Sequence, residues 1–297
     1  MPPLEIAVAG STPGLSQTLE GWSSARIARI DMAADVGTLL APDGGTPDLV
    51  LLDLADRGAP VWTALEACRD DDRLRVVPIV VMGEFADAAL VQRAYELRAN
   101  CCVRRPADPV LLRRRLQVIL GFWLGVATLP TWRTRRDDLP ALPPAMTPRA
   151  GERARILMVD DLVAEGRLVR EALKLSGAPA ELILARTGAD GLARCRESPP
   201  PHLVLLDLHL GGEAGHDVLA TLKADPVICT TPTLVLSSSR QERDIRAAYE
   251  RWANGYLTKP PTFDGLVELM RRVAAFWLGT ALLPPIAGCA GDGTAAS

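Results

Sequence analysis

A chain of 297 residues has room for about two ordinary domains, and 48% hydrophobic with 23% charged residues excludes a disordered polymer. A formal charge of −3 excludes the broad basic field that non-specific nucleic-acid binding needs. Met1 leads into PPLEIAVAG without a basic leader, no apolar run approaches the ~18 residues of a membrane span, and the six cysteines form no C-x-x-C pair, so a soluble cytoplasmic protein with free thiols is expected.

In chain order the first half presents EIAVAGS (5–11), LVLLDL (49–54), PIVVMGE (78–84), ANCCVRRP (99–106) and FWLGVATLP (122–130). Each of the first four reads as a short buried strand, and Cys101 and Cys102 fall inside one of them. The RRR run at 113–115 reads as the solvated face of a helix whose Leu111, Leu112 and Leu116 point inward. Residues 131–152 are rich in Pro and Arg, lack apolar periodicity, and read as a semi-stiff linker.

The second half then repeats the first: RILMVDD (155–161), LVLLDL (203–208), PTLVLSSS (232–239), ANGYLTKP (253–260) and FWLGTALLP (276–284). Asp53 and Asp207, Pro78 and Pro232, Asn100 and Asn254, and Phe122 and Phe276 all stand 154 positions apart. Expected strands are 155–159, 181–185, 203–207, 232–236 and 255–258, with a helix over 162–175 carrying Leu168, Ala172 and Leu175 on one face. The pattern predicts a duplicated α/β domain, two doubly wound five-stranded parallel sheets covered on both sides. The expected limits are 1–130, the linker 131–152, 153–286, and a small polar tail over 287–297 that reads as disordered.

Such sheets hold their sites at the C-terminal ends of the strands. In the second copy those ends carry Asp160, Asp161 and Asp207, then Ser237, then Lys259 followed by Pro260. Three clustered carboxylates repel unless a hard divalent cation offsets them, and Mg²⁺ (or Mn²⁺) suits carboxylate and phosphate oxygens. A hydroxyl and an ammonium opposite would hold the other oxygens of a transferred phosphoryl group, leaving one carboxylate as nucleophile.

The motifs VDD (159–161), LVLLDLHLGGEAG (203–215), VLSSS (235–239) and GYLTKP (255–260) together resemble the receiver domains of two-component response regulators, with the flavodoxin-like (CheY-like) strand order 2-1-3-4-5. The resemblance implies that Asp207 is the phosphoacceptor, that Asp160 and Asp161 bind the metal, and that the His209 backbone carbonyl joins them. It also implies that Ser237 and Tyr256 respond to the phosphoryl group, that Lys259 pairs with it, and that the Lys259–Pro260 bond is cis. Gly211 departs from the proline usual in the family, and a looser loop is expected there. The extended ending, with SSSRQERDI (237–245) and AYERWANGYLTKP (248–260), is similar to phytochrome-associated single-domain regulators that pair through their last helix and strand.

The same positions in the first copy are Gly10 and Ser11 for the acidic pair, Gly83 for the hydroxyl and Arg105 for the lysine, beside Asp53. Without the acidic pair this copy is expected to be an inactive pseudo-receiver. Two states fit Asp53: an ion pair with Arg105 or Arg104, or a carboxylate exposed at a strand end.

Phe122, Trp123, Phe276 and Trp277 read as an interface, with completion of each domain's own core as the alternative. Internal pairing of the two copies and a homodimer both satisfy that reading. The expected function is a response regulator without an output domain, not an enzyme, phosphorylated by a histidine kinase of the bacteriophytochrome type. It would act on a downstream or phosphotransfer protein, with no nucleic-acid or membrane partner. The alternatives are a constitutive adaptor with vestigial phosphorylation, and an aspartyl-nucleophile phosphatase, which needs an acid where His209 stands.

Overall fold

The computed structural model describes residues 4–9, 25–30, 46–54, 59–130 and 153–285. Gly10 and Ser11, the 131–152 linker and the 287–297 tail lie outside the described residues.

Most of the parallel strands are apolar runs of four to six residues, because strands buried on both faces need no polar alternation; Ala25–Ile30, with Arg26 and Arg29, departs from that pattern. In the N-terminal half these are β1 (Leu4–Ala9), β2 (Ala25–Ile30), β3 (Leu49–Asp53), β4 (Ile79–Gly83) and β5 (Cys101–Arg104). They lie in the order β5-β4-β3-β1-β2, every pairing parallel. Among the described residues, three helices accompany them: α1 (Ala59–Asp70), α2 (Ala88–Glu96) and α3 (Pro109–Trp123). Asp87 and Asp108 cap α2 and α3 through backbone N–H groups of the first turn.

In the C-terminal half, β6 (Ala154–Val159), β7 (Ala180–Ala185) and β8 (Leu203–Leu206) are followed by a short hairpin of β9 (His209–Leu210) and β10 (Glu213–Ala214). Then come β11 (Thr233–Ser237), β12 (Gly255–Thr258) and β13 (Ala281–Leu282). The main sheet runs β12-β11-β8-β6-β7, the expected 2-1-3-4-5 order counted within this half. Its helices are α4 (Val163–Leu175), α5 (Gly188–Cys195), α6 (Gly215–Ala224), α7 (Glu242–Glu250) and α8 (Phe263–Val273).

Two helix faces differ from expectation. Helix α4 buries Gly166, Val169, Ala172 and Leu173, whereas Leu168 and Leu175 are 46% and 63% exposed. A Cβ at Gly166 would meet Leu184 at 2.9 Å, so the helix lies close to the sheet there and presents a narrow stripe. In α3, Leu112 and Leu116 are buried but Leu111 is 48% exposed, one step off the same kind of stripe.

The halves meet along a seam whose contacts follow the 154-residue spacing of the matching motifs. β13 pairs antiparallel with β5, Ala281 opposite Val103, and an isolated antiparallel bridge joins Ala127 to Leu257. These two contacts exchange under the 154-residue offset. The Tyr95 hydroxyl donates to the Leu282 carbonyl at 3.0 Å, and its counterpart Tyr249 donates to the Thr128 carbonyl at 3.1 Å. Phe122 stacks on Phe276 with centroids 4.5 Å apart and planes 8° from parallel. Trp123 and Trp277 meet these rings edge-on, and all four side chains are at most 1% exposed. A π-helical turn, Ala274–Leu278, carries Phe276 and Trp277 into this cluster. One hydrophobic core therefore runs through both halves, and a second fills the other face of the N-terminal sheet.

Polar groups line the seam in matched sets. Arg69 Nη1 donates to the Arg75 and Val77 carbonyls and Nη2 to Asn100 Oδ1. Lys223, 154 positions further on, donates to the Cys229 and Thr231 carbonyls and to Asn254 Oδ1. Across the seam, Asn254 Nδ2 donates to the Asn100 carbonyl at 2.9 Å and Asn100 Nδ2 to the Ala253 carbonyl at 3.2 Å. Burial pulls the Lys223 ammonium down to about 7, helped by the neighbouring charge of Arg98.

Truncating a ring in this shared core leaves a cavity that neither half can close alone. Phe276→Ala is expected to lower stability by about 3–5 kcal/mol in urea unfolding. Probes in the two halves should report that loss together; an unshifted N-terminal transition would mean the cores are independent.

Candidate functional site

Asp207 is the first residue beyond β8, at the C-terminal rim of the sheet. Its Oδ1 accepts from the Leu208 N–H at 2.7 Å, which fixes the carboxylate plane and leaves Oδ2 toward the pocket. Asp160 follows β6 and is wholly buried, with Oδ1 accepting from the Leu162 N–H at 2.9 Å. Lys259, just past β12, spans the gap: its Nζ lies 2.9 Å from Asp207 Oδ2 and 3.0 Å from Asp160 Oδ2. Glu165 Oε2, from the first turn of α4, stands 3.6 Å from the same ammonium. Spacing alone did not single out Glu165; an acid one helical turn past the Asp160–Asp161 pair was the available signal.

The electrostatics follow from burial and this pairing. Burial pushes the Asp160 carboxyl above the usual carboxylate range, against the opposing pull of Lys259. Burial alone would lower the Lys259 ammonium, but its bonds and charge contacts with Asp207 and Asp160 outweigh that and raise it. One cation thus serves two buried carboxylates.

Ser237 ends β11, is fully buried, and accepts the Ser239 N–H on Oγ at 3.2 Å. The Lys259 N–H donates to the Ser237 carbonyl at 2.8 Å, so both residues are tied to one rim. Tyr256 is fully buried and its hydroxyl donates to the Ser239 carbonyl at 2.9 Å. The Lys259–Pro260 bond is trans; the cis bond among the described residues is Ser198–Pro199. The trans chain still delivers Lys259 Nζ onto both carboxylates.

The segment after Asp207 is a hairpin, not the looser loop expected. Gly211 and Gly212 turn it with φ of +55° and +113°, values closed to proline, whose ring holds φ near −65°. Glu213 Oε2 accepts the Gly188 N–H at 2.8 Å, pinning the hairpin to the start of α5. A Cβ on Gly211 would come within 3.0 Å of Asp161 Oδ2, which brings Asp161 to the hairpin side of the pocket. His209 is exposed, with Nδ1 4.0 Å from Asp207 Oδ1.

Among the described residues, no three His, Cys, Asp or Glu side chains are drawn together tightly enough to ligate a metal as they stand. The donor set nevertheless suits a hard divalent ion: Asp160, Asp161 and Asp207 offer only oxygen, and Lys259 compensates the charge of Asp160 and Asp207.

In the N-terminal half, Asp53 ends β3, fully buried, with Oδ2 3.6 Å from Arg105 Nη1. Gly83 ends β4 where a Cβ would meet Leu54 Cβ at 2.7 Å, so no hydroxyl-bearing side chain fits without a shift. Arg104 is exposed.

Removing the shared cation should expose the repulsion it masks. Lys259→Met is expected to cost about 3 kcal/mol at neutral pH, because two buried carboxylates lose their partner. Asp160 then binds protons more readily folded than unfolded, so the deficit narrows as pH falls through its raised range. Denaturant midpoints measured at neutral and mildly acidic pH check this; a deficit that grows on acidification would contradict it.

Residues 156–271 match the response regulator receiver domain family. Response regulator Rcp1 of Synechocystis sp. is 40% identical over 135 residues, which span 43% of this chain and 92% of Rcp1. The probable methanogenesis regulatory protein FilR2 of Methanothrix harundinacea is 33% identical over 129 residues, spanning 42% and 83% of the two chains. Among solved structures, the phosphorylated cyanobacterial phytochrome response regulator RcpA is 36% identical with a TM-score of 0.43, covering 45% of this chain and all of that one. The Mn²⁺-bound form of Rcp1 is 38% identical with a TM-score of 0.41, covering 44% and 99%. Through its C-terminal half, the chain belongs to the response regulator receiver family.

Proposed function

We propose that Asp207 accepts a phosphoryl group from a histidine kinase and that residues 153–286 work as a cytoplasmic receiver. Residues 1–130 are then a degenerate receiver kept as a pairing module, joined through the 131–152 linker. Receiver-type regulators are signalling proteins rather than classical enzymes, and the similarity to Rcp1 supports a phytochrome-type kinase as the donor. The observation that carries the reading is the Lys259 ammonium held 2.9 and 3.0 Å from the Asp207 and Asp160 carboxylates on the rim where a phosphoryl group would be received.

The chemistry follows from those positions. An Asp207 carboxylate oxygen attacks the phosphorus of the donor phosphohistidine, and the phosphorus–nitrogen bond breaks. Its electron pair stays on the imidazole, which then takes a proton from water. The Leu208 N–H holds Asp207 in one plane for the attack. Lys259 transfers its hydrogen bond from Asp207 to a phosphoryl oxygen, and Ser237 donates to another. A divalent ion held by Asp160, Asp161, Asp207 and the His209 carbonyl would supply neutralisation of the phosphoryl charge. Mn²⁺ in the Rcp1 structure supports that class of ion, with Mg²⁺ the proposed one here.

Asp53 stays silent on this reading. The Arg105 guanidinium beside it already satisfies its charge, and Leu54 fills the space in front of Gly83. The N-terminal half instead feels the site through the seam. The Thr128 N–H donates to the Tyr256 carbonyl at 2.7 Å, and the Tyr256 N–H donates to the hydroxyl of Tyr249, which itself donates to Thr128.

Incubating the chain with Mg²⁺ and acetyl phosphate should load one phosphoryl group, sensitive to chelator, absent in Asp207→Asn and unchanged in Asp53→Asn. Label that survives Asp207→Asn defeats the assignment. No label at all on the wild type leaves a constitutive adaptor as the better reading.

A further inference from the structure

The seam repeats most of its contacts under the 154-residue offset, but a few side chains break the symmetry. Trp252 and its repeat equivalent Arg98 occupy the same left-handed corner, with φ of +65° and +67°. Trp252 lies against the N-terminal half, where the guanidinium carbons of Arg69 and Arg75 sit 5.7 and 5.5 Å from its ring centroid. Arg98 makes the reciprocal reach, and its Nη2 donates to the Lys223 carbonyl at 3.0 Å.

We infer that the seam is coded for unlike pairing, N-terminal half with C-terminal half, and against pairing of either half with a copy of itself. This rests on the reading of the N-terminal half as a pairing module and deepens it.

The argument exchanges partners under the 154-residue offset. Two N-terminal halves would set Arg98 against Arg69 and Arg75, three guanidinium groups at one station, where like charges repel. Two C-terminal halves would set Trp252 against Lys223 and Cys229, the equivalents of Arg69 and Arg75. The Lys223 ammonium is committed to the Cys229 and Thr231 carbonyls and Asn254, so the indole face gains no cation.

Two further contacts break the symmetry in the same direction. Thr128 Oγ1 and Thr258 Oγ1 lie 3.0 Å apart. Their equivalents are Leu282 and Arg104, so a pair of C-terminal halves would oppose Leu282 to Thr258 and lose that bond. Arg115 Nη1 donates to the Thr280 carbonyl at 3.2 Å, and its equivalent is Leu269, which has no donor. Discrimination thus comes both from contacts made in the unlike pair and from repulsion or lost bonds in the like pairs.

The test uses the full chain and no phosphodonor. Light scattering of the wild type at micromolar concentration should give the mass of one chain, with a slowly exchanging Thr128 amide. Trp252→Arg puts a third guanidinium at the station and should speed that exchange roughly ten- to a hundredfold. Trp252→Phe, which keeps a ring, should leave it near wild type, and Trp252→Arg with Arg75→Glu should recover it by restoring opposite charge. A wild-type dimer in which Thr128 is protected only at high concentration would overturn the inference. So would unchanged exchange in Trp252→Arg, or failure of Arg75→Glu to recover it. An unprotected Thr128 in the wild type would instead remove the pairing reading itself, and phosphoryl labelling of Asp207 stands apart from all of these.

Discussion

Two phenylalanine rings, Phe122 and Phe276, stack at 4.5 Å on the line where the halves meet, with Trp123 and Trp277 closing around them. Four large aromatic side chains at the ends of two helices cannot be buried by either sheet alone. They are removed from water only when both halves close on each other, which fixes the seam. Once that contact is set, β13 reaches β5, the Ala127–Leu257 bridge forms, and the two asparagines exchange backbone contacts. The ordering cost of the polar groups is carried by the burial of the rings.

The rim with Asp207 obeys a different constraint. Asp160 is buried deeply enough that its charge is unfavourable, yet Lys259 keeps the cluster compensated. A pocket held at the edge of electrostatic balance has an unmet demand for positive charge as soon as more negative charge arrives. In the first half a guanidinium, that of Arg105, stands 3.6 Å from the buried Asp53 carboxylate, and Leu54 fills the space in front of Gly83.

Much of this was legible in the sequence, and the rest failed for identifiable reasons. LVLLDL and its neighbours read as buried strands because parallel strands are apolar on both faces, and the rim residues follow from where those runs stop. The exposure of Leu168, Leu175 and Leu111 was not legible, because close helix–sheet contact, as at Gly166, buries only a narrow stripe. The hairpin at 209–214 was available in the Gly211–Gly212 pair, whose positive φ values proline could never adopt. The seam's polar sets, Arg69 with Asn100 and Lys223 with Asn254, look like ordinary surface residues one at a time. Only the offset that relates them, together with carbonyls supplied by distant turns, turns them into matched hydrogen-bond networks.

The β13–β5 pairing also orders events in time. β5 ends at residue 104, yet the strand that covers its edge is Ala281–Leu282. A ribosome making this chain therefore releases the N-terminal sheet with its β5 edge bare, and that edge stays open while well over a hundred further residues are added. A bare β-edge is a template for strangers, and the burden falls on whatever shields nascent chains until β13 emerges. Vectorial synthesis, rather than the finished fold, is where this two-sheet architecture is most exposed.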